Sequence, residues 1–244
     1  MYSRNRMPTD AEYILESLPD HRDGKVGYVV FRVTYGDNAR WEQFIERLKE
    51  YMGSGLEGES NPQAAEAVKA VFELDIRDNE AELKDASKHD VRAQVLMSIG
   101  LQQTRLTCSR IFNAWVESVG GINTVTKYNA CIYADEEVVE SVLEGEDPRV
   151  GFYRTPLRAY VKILDIQYTE ETYQYDSEDE PDEAARALLN SDDDGYDPIE
   201  GCRSYDVGWV KAAARLLIPR TYAVLCYASG WDRMYVRPPA LSEY

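Results

Sequence analysis

The stretch that most constrains the fold is Val26-Gly-Tyr-Val-Val-Phe-Arg-Val-Thr-Tyr35, which runs through Gly36-Asp-Asn-Ala-Arg-Trp41 into an apolar-periodic segment ending near Met52. β-Branched and aromatic residues crowd its first half with side chains for two faces, which suits a central strand. Gly36 ends that run. Asp37 then stands where an N-cap belongs, its carboxylate able to accept from the free N–H groups of a first helical turn. Trp41, Phe44, Ile45, Leu48 and Met52 follow at helical spacing, so the unit is a strand leading directly into the helix that covers it.

Similar units recur along the chain. Thr9 or Asp10 can cap a short helix holding Tyr13, Ile14 and Leu18, stopped by Pro19 and a polar turn over 20–24. Gly53-Ser-Gly-Leu-Glu-Gly-Glu-Ser-Asn-Pro62 reads as a loop, and a short helix follows over 63–70. Phe72-Glu-Leu-Asp-Ile-Arg77 alternates apolar and charged residues, the pattern of a strand with one wet face at a sheet edge. Ser87-Lys-His-Asp90 matches a capping box and opens a helix on Val91, Val95 and Ile99. A further helical stretch carries Ile111, Phe112, Trp115, Val116 and Val119 before Gly120-Gly121. Tyr128–Tyr133 is a third strand, Asp135 caps a helix on Val138, Val139, Val142 and Leu143, and Ala159–Tyr168 is a fourth strand. Beyond Val207 the spacing of Val210, Ala213, Ala214, Leu217 and Tyr222 predicts a long last helix kinked at Pro219, followed by an extended tail over 235–240. The order predicts an α+β fold: a single mixed β-sheet of about four strands packed against several helices, two-layered and ferredoxin-like in spirit, in one domain over 1–244.

Charge separates the chain into two regimes. Of a formal net charge of −17, most lies between Glu170 and Glu200, where thirteen acidic residues face the single Arg186. Such a surplus repels phosphate backbones and anionic lipid, which argues against nucleic acid or a membrane surface as the principal partner. Residues 169–206 are expected to form an acidic, flexible excursion between the last strand and the last helix. That excursion reads either as a solubilising linker or as a docking surface for a basic protein, with Glu178, Asp179 and Glu180 at its densest point. Cys108, Cys131, Cys202 and Cys226 form no CxxC pair, so a zinc site or disulfide framework is unsupported. The start of the chain lacks an apolar signal-like run, and no segment reaches the ~18 apolar residues that a membrane helix needs. Together these features predict a cytoplasmic protein.

Several motifs invite a function. Gly53-Ser-Gly-Leu-Glu-Gly58 spells the dinucleotide fingerprint, but it follows a helix instead of a strand, and Glu57 and Glu59 repel phosphate. Asn190, Asp192 and Asp194 fall at oxygen positions of an EF-hand loop, with Gly195 at the turn. The twelfth position is Gly201 where a bidentate glutamate is required, which leaves at most an adventitious Ca²⁺ site. His21 lies in a polar turn and His89 in a first helical turn, neither beside a nucleophile motif, and no cofactor is implied. Tyr28, Tyr35, Trp41, Tyr128, Tyr133 and Tyr160 lie on or beside strands, and Arg32 interrupts an apolar one. Arg32, Tyr35 and Trp41 therefore read either as a pocket for an acidic group or as tyrosine-rich core with the arginine in solvent.

The segments Gly27-Tyr-Val-Val-Phe-Arg-Val-Thr-Tyr-Gly-Asp-Asn-Ala-Arg-Trp41, Ser87-Lys-His-Asp-Val-Arg92, Cys131-Ile-Tyr-Ala-Asp135, Val207-Gly-Trp-Val-Lys211 and Tyr235-Val-Arg-Pro-Pro239 resemble a widespread family of uncharacterised intracellular fungal proteins. The likeness covers most of the chain and implies a fungal origin and a shared fold, with no activity and no site to carry over. The family pattern passes from the Val-Arg of the capped helix directly to an aromatic pair spaced like Phe112 and Trp115. The stretch from Val95 to Arg110 departs from it, as either genuine sequence or a translated intron. The functional expectation is a non-catalytic module that binds a protein partner through the acidic segment and the aromatic surface near the last helix. The alternative is a small-molecule enzyme or carrier, which requires a cavity of roughly 300 Å³ or more beside Arg32, Tyr35 and Trp41.

Overall fold

Val30 aligns with Ile76 on one side and with Ile132 on the other, which sets β1 (Val29–Arg32) inside a sheet, parallel to both β2 (Asp75–Arg77) and β3 (Ala130–Ala134). The computed structural model describes residues 6–21, 24–98, 126–150, 156–166, 168, 195–227 and 229–244. β4 (Tyr160–Asp165) pairs antiparallel with β3, β5 (Trp209–Ala213) antiparallel with β4, and β6 (Leu241–Ser242) parallel with β5. The strand order is β2-β1-β3-β4-β5-β6, one mixed sheet. The α+β class and the single mixed sheet agree with the sequence. The strand number does not: six strands are paired among the described residues where about four were expected.

The helices are α1 (Asp10–Ser17), α2 (Asn38–Glu57), α3 (Pro62–Val71), α4 (Glu80–Leu83), α5 (Lys88–Ser98), α6 (Thr126–Asn129), α7 (Glu136–Glu144), α8 (Tyr222–Leu225) and α9 (Gly230–Met234). Their starts follow local chemistry. Thr9 and Glu12 close a capping box on α1, Asp37 accepts from the Arg40 N–H at 2.9 Å, Asn61 caps α3 with Pro62 in its first turn, and Asp135 accepts from the Val138 N–H at 3.1 Å.

Strand alternation divides the core in two. Tyr28, Val30, Ile132, Val161, Ile163, Val210 and Ala212 point to one face, where Ile14 of α1, Phe44 and Leu48 of α2, Val68 of α3 and Val142 of α7 cover them. Phe31, Val33, Cys131, Tyr133, Leu164 and Trp209 point to the other face, against Leu83, Ala86, Val91 and Val95. The two-layer expectation is therefore corrected: apolar residues on both sides of these strands need cover on both, and α4 and α5 supply it on the second.

Two further local expectations are overturned. Gly53–Glu57 is not a loop but the end of the 20-residue helix α2. Its glycines suggest a loop by composition, yet Gly55 is there for contact: a Cβ at that position would sit 2.2 Å from the Ile218 carbonyl oxygen and 2.5 Å from that of Arg215. The expected last helix over 207–222 is a strand, β5, then two short helical turns, Ala214–Leu216 and Leu217–Thr221, then α8. Ile218 is extended (φ −132°, ψ 129°) immediately before Pro219, the conformation that proline's ring imposes on its predecessor. A strand buried on both faces presents a continuous apolar run, which residue spacing does not separate from a helix. The helical stretch expected over 111–119, and nearly all of the Val95–Arg110 segment, lie outside the described residues.

Candidate functional site

Arg32 ends β1 on the face covered by α2, and Trp41 arrives one turn into that helix. The side chain is 5% exposed. Its Nε donates to the Thr34 carbonyl and one terminal nitrogen to Asn38 Oδ1, both at 2.9 Å. The guanidinium carbon lies 4.6 Å from the Tyr35 ring centre and 4.9 Å from that of Trp41, and Tyr35 donates its hydroxyl back to the Arg32 carbonyl at 2.9 Å. Arg32, Tyr35 and Trp41 thus come together as the spacing suggested, but the arginine is buried, not on a solvent face. Two neutral acceptors and two π-faces hold it, with no carboxylate in contact among the described residues.

These three residues line a pocket of about 180 Å³ with Gly36, Arg40 and Glu136. That is well below the ~300 Å³ expected of a site for a drug-sized molecule. Glu136 is engaged by Arg40 and by the Thr34 hydroxyl, and Asp37 caps α2, so the two cations and two carboxylates around the pocket balance. The other aromatic residues do not join them. Tyr28 meets Tyr222 edge-on at 5.3 Å in the first core, and Tyr133 lies in the second. The side chain of Tyr128 lies outside what is described.

The second face of the sheet carries an ionic network that sequence reasoning missed. Lys162, 5% exposed, lies 2.6 Å from Asp135 Oδ2 and 2.5 Å from Glu137 Oε2. Lys211 donates to Glu137 Oε1 at 2.6 Å and to the Tyr160 hydroxyl at 3.0 Å, and Tyr160 itself donates to Glu137. Partial burial opposes the charge on Glu137, but the hydrogen bonds from Lys162, Lys211 and Tyr160 prevail and hold its carboxyl down at about 2. Burial also works against charge on Lys162, and its two carboxylate partners outweigh it and raise its pKa. A lysine held in its charged form is not a nucleophile, so this network ties β4 and β5 to α7. The alternating Tyr160-x-Lys162 and the Asp135-x-Glu137 pair were the available signal, but only the pairing of β3 with β4 brings them together.

His21, Cys131 and Cys226 are engaged in packing. His21, expected in a polar turn, is buried, with Nδ1 3.0 Å from the Ser17 carbonyl oxygen and Nε2 2.9 Å from the Tyr222 hydroxyl. Because a carbonyl only accepts, the Ser17 contact assigns a proton to Nδ1. Burial raises the thiol pKa of both Cys131 and Cys226, away from thiolate chemistry. Among the described residues no group of three or more His, Cys, Asp or Glu could hold a metal ion. The expected Ca²⁺ ligands Asn190, Asp192 and Asp194 and the expected partner contacts Glu178, Asp179 and Glu180 lie outside the described residues.

Near the end of the chain an aromatic and arginine surface takes shape. Ile199 and Cys202 bridge a small antiparallel turn. Arg237 fastens it from the tail, donating to the carbonyl oxygens of Asp197 at 2.7 Å, Cys202 at 3.2 Å and Tyr205 at 3.2 Å while lying 5.1 Å from the Tyr196 ring centre. Rings run from Tyr196 to Tyr205 (5.7 Å), Tyr235 (5.3 Å) and Trp231 (5.6 Å). The Tyr235 hydroxyl donates to the Tyr205 carbonyl at 2.8 Å and accepts from the Val207 N–H at 3.0 Å, and burial pushes its pKa up to about 12. Trp231 donates to Asp206 at 2.7 Å. The inner rings are thereby locked, while Tyr196 and Tyr205 remain 42% and 46% exposed.

Fold and surface together define an α+β protein with a mixed sheet, a small arginine pocket at one end of β1 and a rigid aromatic patch beside β5. No family model, curated protein or solved structure matches the chain. No helix among the described residues is long and apolar enough to cross a membrane.

Proposed function

We propose that the protein is a non-catalytic, cytoplasmic binding module for another protein, of the fungal family its motifs resemble, and that the aromatic patch is its contact surface. The observation that carries this reading is the half-exposure of Tyr196 and Tyr205 on a support of Tyr235, Trp231 and Arg237 fixed by hydrogen bonds. Tyrosine, tryptophan and arginine held rigid at a surface offer a large contact area with little conformational entropy left to lose, the composition of binding hot spots. The acidic run leads directly into this patch at Gly195, so a basic partner is drawn by long-range charge towards the place where the rings make contact. Residues 169–206 act in this reading as a charged excursion of a single domain.

The test is affinity capture from fungal lysate with the intact chain, the Tyr196→Ala/Tyr205→Ala variant and a chain lacking residues 170–194. Losing the rings should abolish capture of a basic partner, and losing the acidic run should slow its association and remove the salt dependence. Identical partners at identical yield from all three proteins would overturn the reading.

A further inference from the structure

Two glycines interrupt the interior of α2, and the structure accounts for only one. Gly55 admits the carbonyl oxygens of Ile218 and Arg215, whereas a Cβ built on Gly53 meets nothing within 4 Å. A glycine inside a helix weakens it, and no contact among the described residues calls for one at this point. What lies beside Gly53 is a groove of about 450 Å³, with Met52, Leu56, Phe72 and Leu74 along its apolar part. A side chain at position 53 would reach into it.

The groove reaches Phe72, Glu73 and Leu74, which lead directly into β2 at the end of the strand order. The N–H groups of Glu73 and Asp75 donate to the carbonyls of Val26 and Tyr28 at 2.9 and 3.0 Å, so strand alternation turns the N–H and C=O of Leu74 and Ile76 to the opposite side. Among the described residues no strand pairs there, since β2 ends the strand order. Charge favours one kind of occupant. In a chain of net charge −17, the described residues that line the groove carry two cations, Lys49 and Lys69, against one carboxylate, Glu73. Lys69 pairs with Glu66 at 2.8 Å, and Lys49 makes no ion pair among the described residues.

We propose that this edge and groove bind an extended, acidic segment of a partner protein by strand addition beside residues 72–76. Backbone hydrogen bonds form to Leu74 and Ile76, one large apolar side chain of the segment fills the space over Gly53, and a neighbouring carboxylate meets Lys49 and Lys69. The site lies at the opposite end of the strand order from the aromatic patch and does not depend on that surface being functional.

The test uses a fluorescein-labelled synthetic peptide, Glu-Glu-Ile-Phe-Val-Glu-Val, beside a version with lysine in place of glutamate and one with serine in place of the apolar residues. Fluorescence anisotropy of the intact chain should show saturable binding of the acidic peptide, at least tenfold weaker for either control. Amide exchange at Leu74 and Ile76 should slow on binding. Gly53→Phe, which meets no atom at its Cβ and removes a helix-weakening glycine, should fold at least as well as the parent and weaken binding tenfold or more. Lys49→Glu should shift preference toward the lysine peptide. Tyr205→Ala should leave peptide binding unchanged, which separates this proposal from the aromatic patch. Equal binding of acidic and lysine peptides, unaltered affinity in Gly53→Phe, slowed exchange confined to other strands, or self-association through this edge without peptide binding would each overturn it.

Discussion

Gly53 and Gly55 are two residues apart in one helix, yet the same substitution should act on them with opposite sign. Gly53→Ala adds a methyl group to open space and should stabilise the protein by about 0.5–1 kcal/mol through helix propensity alone. Gly55→Ala forces a Cβ to within 2.2 Å of the Ile218 carbonyl oxygen and should cost about 1–3 kcal/mol, as overpacking does, with urea denaturation measuring both. Glu137 makes a pH prediction of equal definition. Its carboxyl is held at about 2 in the folded chain, below the ordinary 4.5, so the stability it contributes is complete above about 4.5 and is lost as pH falls towards 2. The network is partly exposed, so screening limits the effect to about 1 kcal/mol. Glu137→Gln should therefore lower Tm by about 2–4 °C at pH 6 and converge with the parent near pH 2 in scanning calorimetry. Arg32 shows how far a single residue could be read in advance: its proximity to Tyr35 and Trp41 followed from the strand-to-helix spacing. Its counterparts, the Thr34 carbonyl and Asn38, follow from a local backbone path that spacing does not encode.

Elements differed in legibility according to where their signals reside. Capped helices were legible because a cap is a local hydrogen bond: Thr9, Asp37 and Asp135 each bond within three residues in sequence. β1 was legible because β-branched and aromatic residues mark a buried strand. β5 was not, because its Val-Lys-Ala-Ala run carries good helix formers and no alternation, and its partner β4 lies more than forty residues upstream. As a strand between two others, β5 should exchange its Val210 and Ala212 amides only through global unfolding, while the turns over 214–221 exchange faster. Native-state hydrogen exchange checks this, and equal protection across 209–221 would contradict it. On the covering side, Leu48 of α2 is completely buried in the first core, and Leu48→Ala should cost about 2–5 kcal/mol by urea denaturation.

At the scale of the molecule, a net charge of −17 opposes compaction. Raising ionic strength from about 0.01 to about 0.15 M shortens the screening length from roughly 30 to 8 Å, and Tm should rise accordingly. A Tm that is flat or falls over that range would mean that the paired networks, not the surplus acid, govern the electrostatics. The amino-acid sequence by itself determined the α+β class, the strand-to-helix unit at the centre and the uneven charge, because each is written in neighbouring residues and survives without any long-range contact. Only the tertiary structure decided that β5 is a strand, that Lys162 meets Glu137 and that Tyr235 and Arg237 brace residues 197–205. It also turned Gly53 toward a groove. These depend on pairings between residues twenty to more than forty positions apart, whose stability arises only when the whole chain has closed around them.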